Sequence, residues 1–158
     1  MKKLTLLASI LGLAVAAHSA PLPLGATAVG YDAGLGHITA RLGLTENNAI
    51  DLGAGLNYDD AAATDAFQLG VSAYYLLKLQ DWGVVDNHLA LGGNMTIYSD
   101  SDLDLTLFAG LQPEVTLLDR LIVSIRFGAE LAVSPDIAFG TVGQPISIVN
   151  GLNFKVVW

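Results

Sequence analysis

Apolar and polar side chains alternate with a period of two along most of this chain, and within those runs every charge falls on one side. A helix buries residues with a period near 3.6, so the pattern confines the chain to strands. Seven alternating runs are readable, at 35–44, 49–58, 66–78, 88–98, 103–114, 121–133 and 146–158, with a weaker eighth at 23–31. Clusters of Asp, Asn, Gly and Pro separate them, as turns require.

One face of these strands is aliphatic and aromatic. It carries Leu42, Leu52, Leu56, Tyr58, Phe67, Val71, Tyr75, Leu91, Met95, Leu107, Leu111, Val123, Ile125, Phe127 and Leu131. The opposite face carries His37, Thr39, Ser72, Tyr74, Asn94, Thr96, Gln112, Ser124 and Asn153, with Gly53, Gly55, Gly70, Gly92, Gly110 and Gly128 among them. All the strand charges lie on this second face: Arg41, Asp51, Lys78, His88 (when protonated), Asp104, Glu114, Arg126, Glu130 and Lys155.

Two architectures produce such alternation. A soluble sandwich or lipocalin-like periplasmic barrel hides the aliphatic face around an apolar ligand and wets the other. A transmembrane barrel turns the aliphatic face to lipid and the polar face to a lumen. A soluble exterior is normally studded with Lys and Glu, whereas this polar face is mostly Gly, Ser, Thr, Asn and Gln. Glycines suit the inside of a narrow barrel, where large inward side chains collide. The pattern therefore predicts an all-β fold, an antiparallel up-and-down transmembrane β-barrel of eight strands.

The first twenty residues read as a secretory signal peptide. Lys2 and Lys3 form a positive start, Leu4 to Ala17 an apolar stretch, and His18-Ser19-Ala20 a cleavage site before Pro21. The organisation expected is residues 1–20 as signal peptide and 21–158 as one barrel domain. Cleavage leaves five basic against fifteen acidic residues, and this acidity makes nucleic acid an unsuitable partner. The chain has no Cys, which excludes disulfides and thiolate metal sites.

The last segment, Asn153-Phe154-Lys155-Val156-Val157-Trp158, ends in an aromatic residue with apolar residues at alternate positions, Leu152, Phe154 and Val156. With the signal peptide and the alternating strands, it resembles the small eight-stranded outer-membrane β-barrel proteins, the class of the OmpA transmembrane region and OmpX. Where that family often has Gly five residues before the end, this chain has Asn153. The resemblance implies location in the outer membrane and contact with its lipid and lipopolysaccharide. It also implies a C-terminal signal of Leu152, Phe154, Val156 and Trp158 read by the barrel-assembly machinery.

With both termini in the periplasm, the inner turns fall at 45–48, 79–87 and 118–120. The outer loops fall at 32–36, 59–65, 99–102 and 135–145. Tyr58 and Phe67 then lie near the outer interface, Tyr75 and Trp158 near the inner one. The nine residues on the charged face are expected to pair inside the lumen and plug it, which suits a structural or envelope role. The alternative use of the same residues is a charged constriction for ions or small solutes. No cofactor site is legible, and catalysis is not expected: Ser72, His88 and Asp104 share a face, but no nucleophile elbow accompanies them. The acidic outer loops, with Asp32, Asp59, Asp60, Asp65, Asp100, Asp102 and Asp136, offer oxygen ligands to divalent cations.

Overall fold

The computed structural model describes residues 25–59, 66–98, 103–133, 138–142 and 151–157. Its strand segments are β1 (Thr27–Asp32), β2 (His37–Thr45), β3 (Asn48–Asp59), β4 (Ala66–Asp81) and β5 (Asp86–Tyr98), followed by β6 (Leu103–Leu117), β7 (Leu121–Ile125), β8 (Phe127–Ala132), β9 (Ala138–Val142) and β10 (Leu152–Val157). Each of β1 to β6 pairs antiparallel with the next. β7 and β8 follow β6 in one continuous register, from Leu117 opposite Leu121 to Thr106 opposite Ala132. β10 pairs with β7 on one side and β1 on the other, which closes the ring. The ten segments thus make a closed, antiparallel, up-and-down barrel of eight strands.

The break between β7 and β8 falls at Arg126, whose N–H donates to Gly151 O at 2.9 Å. Beside this break β6 carries Pro113, which stands opposite Ile125 and has no N–H to give to the ladder. The eighth strand is also in two pieces. Gly128 faces Val142 on β9 and Ile125 faces Leu152 on β10, so the two pieces pair on either side of Arg126 and Phe127. The expected outer loop at 135–145 therefore contains a strand, β9. Of the expected strand at 146–158, the ladder of β10 covers Leu152–Val157; Ile146, Ser147, Ile148 and Trp158 lie outside the described residues, as does the expected signal peptide.

Two bulges lengthen the hairpins beyond expectation. The β4–β5 register slips between Lys78 and Gln80, leaving Leu79 as the extra residue. Both strands then continue, so the expected inner turn at 79–87 shrinks to 82–85, closed by Trp82 N–H donating to Val85 O. The β2–β3 register slips between Gly43 and Thr45 before the turn at Glu46 and Asn47. The third turn on this end has Leu118 and Asp119 both at positive φ, 53° and 59°. The described chain starts and finishes at this short-turn end, where Gly25 N–H donates to Gly43 O and Val157 N–H to Arg120 O.

The opposite end is uneven. β1 and β2 turn over at Ala33–Gly36, with Gly36 at φ +69°, a backbone that glycine adopts without strain. β3 runs on past Gly55, the partner level of His37, to Asp59. The wall is therefore lower at β1–β2 than at β3–β4, and a vestibule opens at this end.

The two faces segregate completely among the described residues. No member of the aliphatic face is buried; Leu52, Leu56, Phe67, Leu107, Phe127 and Val156 are all exposed. No member of the polar face is exposed, and Arg41, Asp51, Gln112, Ser124, Asn153 and Lys155 are almost wholly buried. The barrel has its apolar side out and its polar side in.

Candidate functional site: the polar lumen

The lumen is closed in its short-turn half by a layer of ion pairs. Arg41 (β2) meets Asp51 (β3) at two points, Nε to Oδ1 at 2.6 Å and Nη2 to Oδ2 at 2.9 Å. The same guanidinium reaches across the lumen with Nη1 to both oxygens of Glu114 (β6), at 2.9 and 2.7 Å. Lys155 Nζ (β10) lies 3.0 Å from Asp51 Oδ2. His88 Nδ1 lies 3.8 Å from Glu114 Oε2, outside hydrogen-bond range. At the mouth below, Lys78 Nζ and Asp86 Oδ1 pair at 2.6 Å.

Arg41 sits here because His37, Thr39 and Arg41 alternate inward from the start of β2, and Arg41 falls opposite Asp51 in the β2–β3 register. Register alone does not bring Glu114 to Arg41; closure of the ring does. The planar fork of an arginine matches two carboxylates at once, which a lysine at this position would not. Mutual pairing compensates the desolvated charges, although Lys155 Nζ meets Asp51 as an ion pair and makes no hydrogen bond of good geometry among the described residues.

A second layer lies toward the vestibule. Arg126 stacks over the Tyr74 ring, its Cζ 3.7 Å from the centroid. Tyr74 meets Phe108 edge to face, with centroids 5.9 Å apart. Arg126 Nε donates to Gln112 Oε1 at 3.1 Å, and Gln112 Nε2 donates to Ser124 Oγ at 3.3 Å. Arg126 Nη1 reaches Asp32 Oδ2 at 3.4 Å. The other oxygen of Asp32 accepts the N–H groups of Gly34 and Leu35 at 2.9 and 3.1 Å. The four basic side chains Arg41, Lys78, Arg126 and Lys155 each pair with one or two of Asp32, Asp51, Asp86 and Glu114, and the lumen acids Asp104 and Glu130 stand outside these pairs.

Above this layer His37 rests in a niche without side chains. A Cβ at Gly53, Gly55 or Gly70 would run into His37 or its partner Ser72. His37 Nδ1 and Ser72 Oγ are 3.1 Å apart. A cavity of about 410 Å³ opens over His37, with Leu35, Gly55, Gln68, Gly70 and Thr96 in its wall. A second cavity of about 20 Å³ lies beyond the plug, against Arg41, Lys78, Asp86, His88 and Glu114. The two share no lining residue.

All nine charged-face residues point into the lumen. Seven join the two layers or the mouth pair as described, with His88 at the edge of the first. Asp104 stands apart near the vestibule and accepts from Tyr98 Oη at 2.6 Å. Glu130 is half-buried on β8. The Ser72, His88, Asp104 triplet is not assembled: Ser72 pairs with His37, Asp104 with Tyr98, and His88 stands beside Glu114.

Asp32 corrects one expectation. It is not a loop acid open to cations but a buried residue, 1% exposed, engaged by Arg126 and two backbone N–H groups. The side chains of Asp59, Asp60, Asp65, Asp100, Asp102 and Asp136 lie outside the described residues, as do those of Tyr58 and Trp158. Among the described residues no group of His, Asp and Glu is placed to hold a metal ion. Asp32 and Asp86 have the parity of inward neighbours, Gly30 and His88; extending each alternation by two residues would have revealed both. Phe108 has the inward parity of Thr106 and Gly110, but its apolar side chain gives no polar signal for that face.

Comparison with protein-family models, curated proteins and solved structures returns no match, so function is argued from this geometry.

Proposed function

We propose that this barrel resides in a bacterial outer membrane, with the aliphatic face against lipid and the lumen plugged, in a structural or envelope role. The observation that carries the reading is the segregation of faces: aliphatic residues outside, buried ion pairs inside. Exposed aliphatic surface on all sides is costly in water and matched in hydrocarbon. Closure leaves no free sheet edge around the ring at the level of β1 and β10, the condition for strands to cross lipid. β3 to β6 have between 12 and 16 residues, more than the roughly 9–11 needed to span. Their excess length suits arms rising beyond the membrane. A soluble barrel for an apolar ligand calls for the reverse arrangement of faces.

Supporting details follow the same sense. Phe67 is exposed toward the vestibule end, and Tyr75 and Trp82 toward the short-turn end, as two aromatic girdles require. Phe154 and Val156 point outward on β10, available to assembly machinery. The plug, layered from the Lys78–Asp86 pair to Arg126 and Asp32, suits a non-conducting role rather than transport.

The chain contains no Cys, so single cysteines carry a spin label without background. In lipid vesicles, labels at Leu107 and Phe127 should collide with oxygen more than with a water-soluble relaxer, and a label at Thr106 should not. Equal access of the water-soluble relaxer to Leu107 and Thr106 would overturn the reading.

A further inference from the structure

We infer that the vestibule over His37 is a binding site for a small, uncharged, hydroxyl-rich solute such as a sugar. Its volume, about 410 Å³, falls within the range of small-molecule sites. Its wall is polar without being charged: among the described residues lining it there is no Asp, Glu, Lys or Arg. Asp104, which faces Thr96 across β5 and β6, is engaged by Tyr98 Oη, and Asp32 and Arg126 are engaged with each other and with backbone or Gln112 groups. An ion entering the cavity would lose water and find no charged partner among the described residues that line it, whereas a neutral hydroxylated molecule would not bear that cost.

Hydrogen-bonding groups are left over to receive it. The amide of Gln68 and the hydroxyl of Thr96 bond to no other described residue, and neither does Nε2 of His37, itself 5% exposed. Gln68 and Thr96 lie on neighbouring strands, β4 and β5, two register steps apart, since Thr96 faces Gly70. They offer a donor-and-acceptor pair from the wall, above an imidazole floor. The glycines that open the space are the same ones that seat His37, and a side chain at Gly55 or Gly70 would fill it. Leu35 supplies an apolar edge of the kind on which a sugar ring packs. The inference concerns the barrel alone and stands independently of its membrane location.

The test is NMR of the refolded barrel in amine-oxide micelles, which carry no sugar headgroup. Glucose and maltose are titrated, with glucuronate and glucosamine as charged counterparts. The neutral sugars should shift the His37 ring and Thr96 methyl signals saturably, in the millimolar range, and leave His88, beyond the plug, unmoved. The charged sugars should bind at least about tenfold more weakly. Gln68→Leu with Thr96→Val should weaken neutral-sugar binding at least about tenfold, with the gel mobility of the folded barrel retained. No saturable shift at His37, a shift at His88 of the same size, or charged sugars binding as tightly as neutral ones would overturn the inference. If the double variant fails to fold, the comparison of neutral with charged sugars and of His37 with His88 still decides it.

Discussion

Arg41 and Asp51 face each other across β2 and β3 and join at two points, 2.6 and 2.9 Å, while the same guanidinium crosses the lumen to Glu114. One side chain thereby ties adjacent strands and opposite walls together. Replacing Arg41 by Met should leave Asp51 and Glu114 facing each other with less counter-charge. The expected cost is about 3–5 kcal/mol, the range for a broken buried pair. Urea unfolding of the refolded barrel, followed by tryptophan fluorescence, measures it. A loss below about 1 kcal/mol would mean that the layer is not structural.

The outward face gives a contrasting prediction. Leu107 on β6 is exposed and lies mid-strand. Leu107→Arg should destabilise the barrel in lipid vesicles by roughly 2–4 kcal/mol if its level is the bilayer midplane. In detergent micelles, where the head reaches water, the same variant should lose much less. Equal stability in vesicles and micelles would contradict the assigned lipid face.

The turn after β6 holds a residue poorly suited to its backbone. Leu118 has φ 53°, and Arg120 N–H closes the turn on Leu117 O at 3.1 Å. Both central residues are left-handed, the geometry of a type I′ hairpin turn, which favours Asn and Gly. Leu118 is exposed and adds no core contact. Leu118→Asn should therefore stabilise by roughly 0.5–1 kcal/mol, visible as a higher urea midpoint.

The niche under the vestibule is equally specific. Gly70→Val would drive a Cβ into Nε2 of His37 and separate it from Ser72. Overpacking of this kind costs roughly 1–3 kcal/mol. The His37 ring signals should move, while those of His88 stay in place. An unchanged His37 spectrum would mean that the ring does not rest on Gly70.

Conduction discriminates plug from pore. The cavities on either side of the plug share no lining residue. The barrel inserted in planar bilayers should give no unitary steps in 1 M KCl, and regular steps would replace the plug by a charged constriction.

Parity was the legible part of this fold. In Tyr74-Tyr75, identical neighbours separate: Tyr74 is buried under Arg126 and Tyr75 is exposed, as a period of two demands. The nine inward charges could be assigned for the same reason. What parity cannot supply is partnership across the lumen, which depends on closure. Arg41 to Glu114 spans strands far apart in sequence, and Arg126 to Asp32 likewise. Irregularities also escaped. The bulge at Leu79 lets β4 and β5 run on through what reads as a turn, and β9 lies in a Pro-bracketed stretch that reads as loop. Phe108 keeps the inward parity but puts an aromatic ring on the polar face, where it packs against Tyr74.

The proposed home of this inside-out barrel is an outer membrane. The most direct measurement is fractionation of a Gram-negative host expressing the full chain, followed by electrophoresis with and without boiling. The account predicts the protein in the outer-membrane fraction, resistant to urea extraction, with a mobility that shifts on boiling as the closed barrel opens. A soluble periplasmic band with the same mobility in both lanes would contradict it.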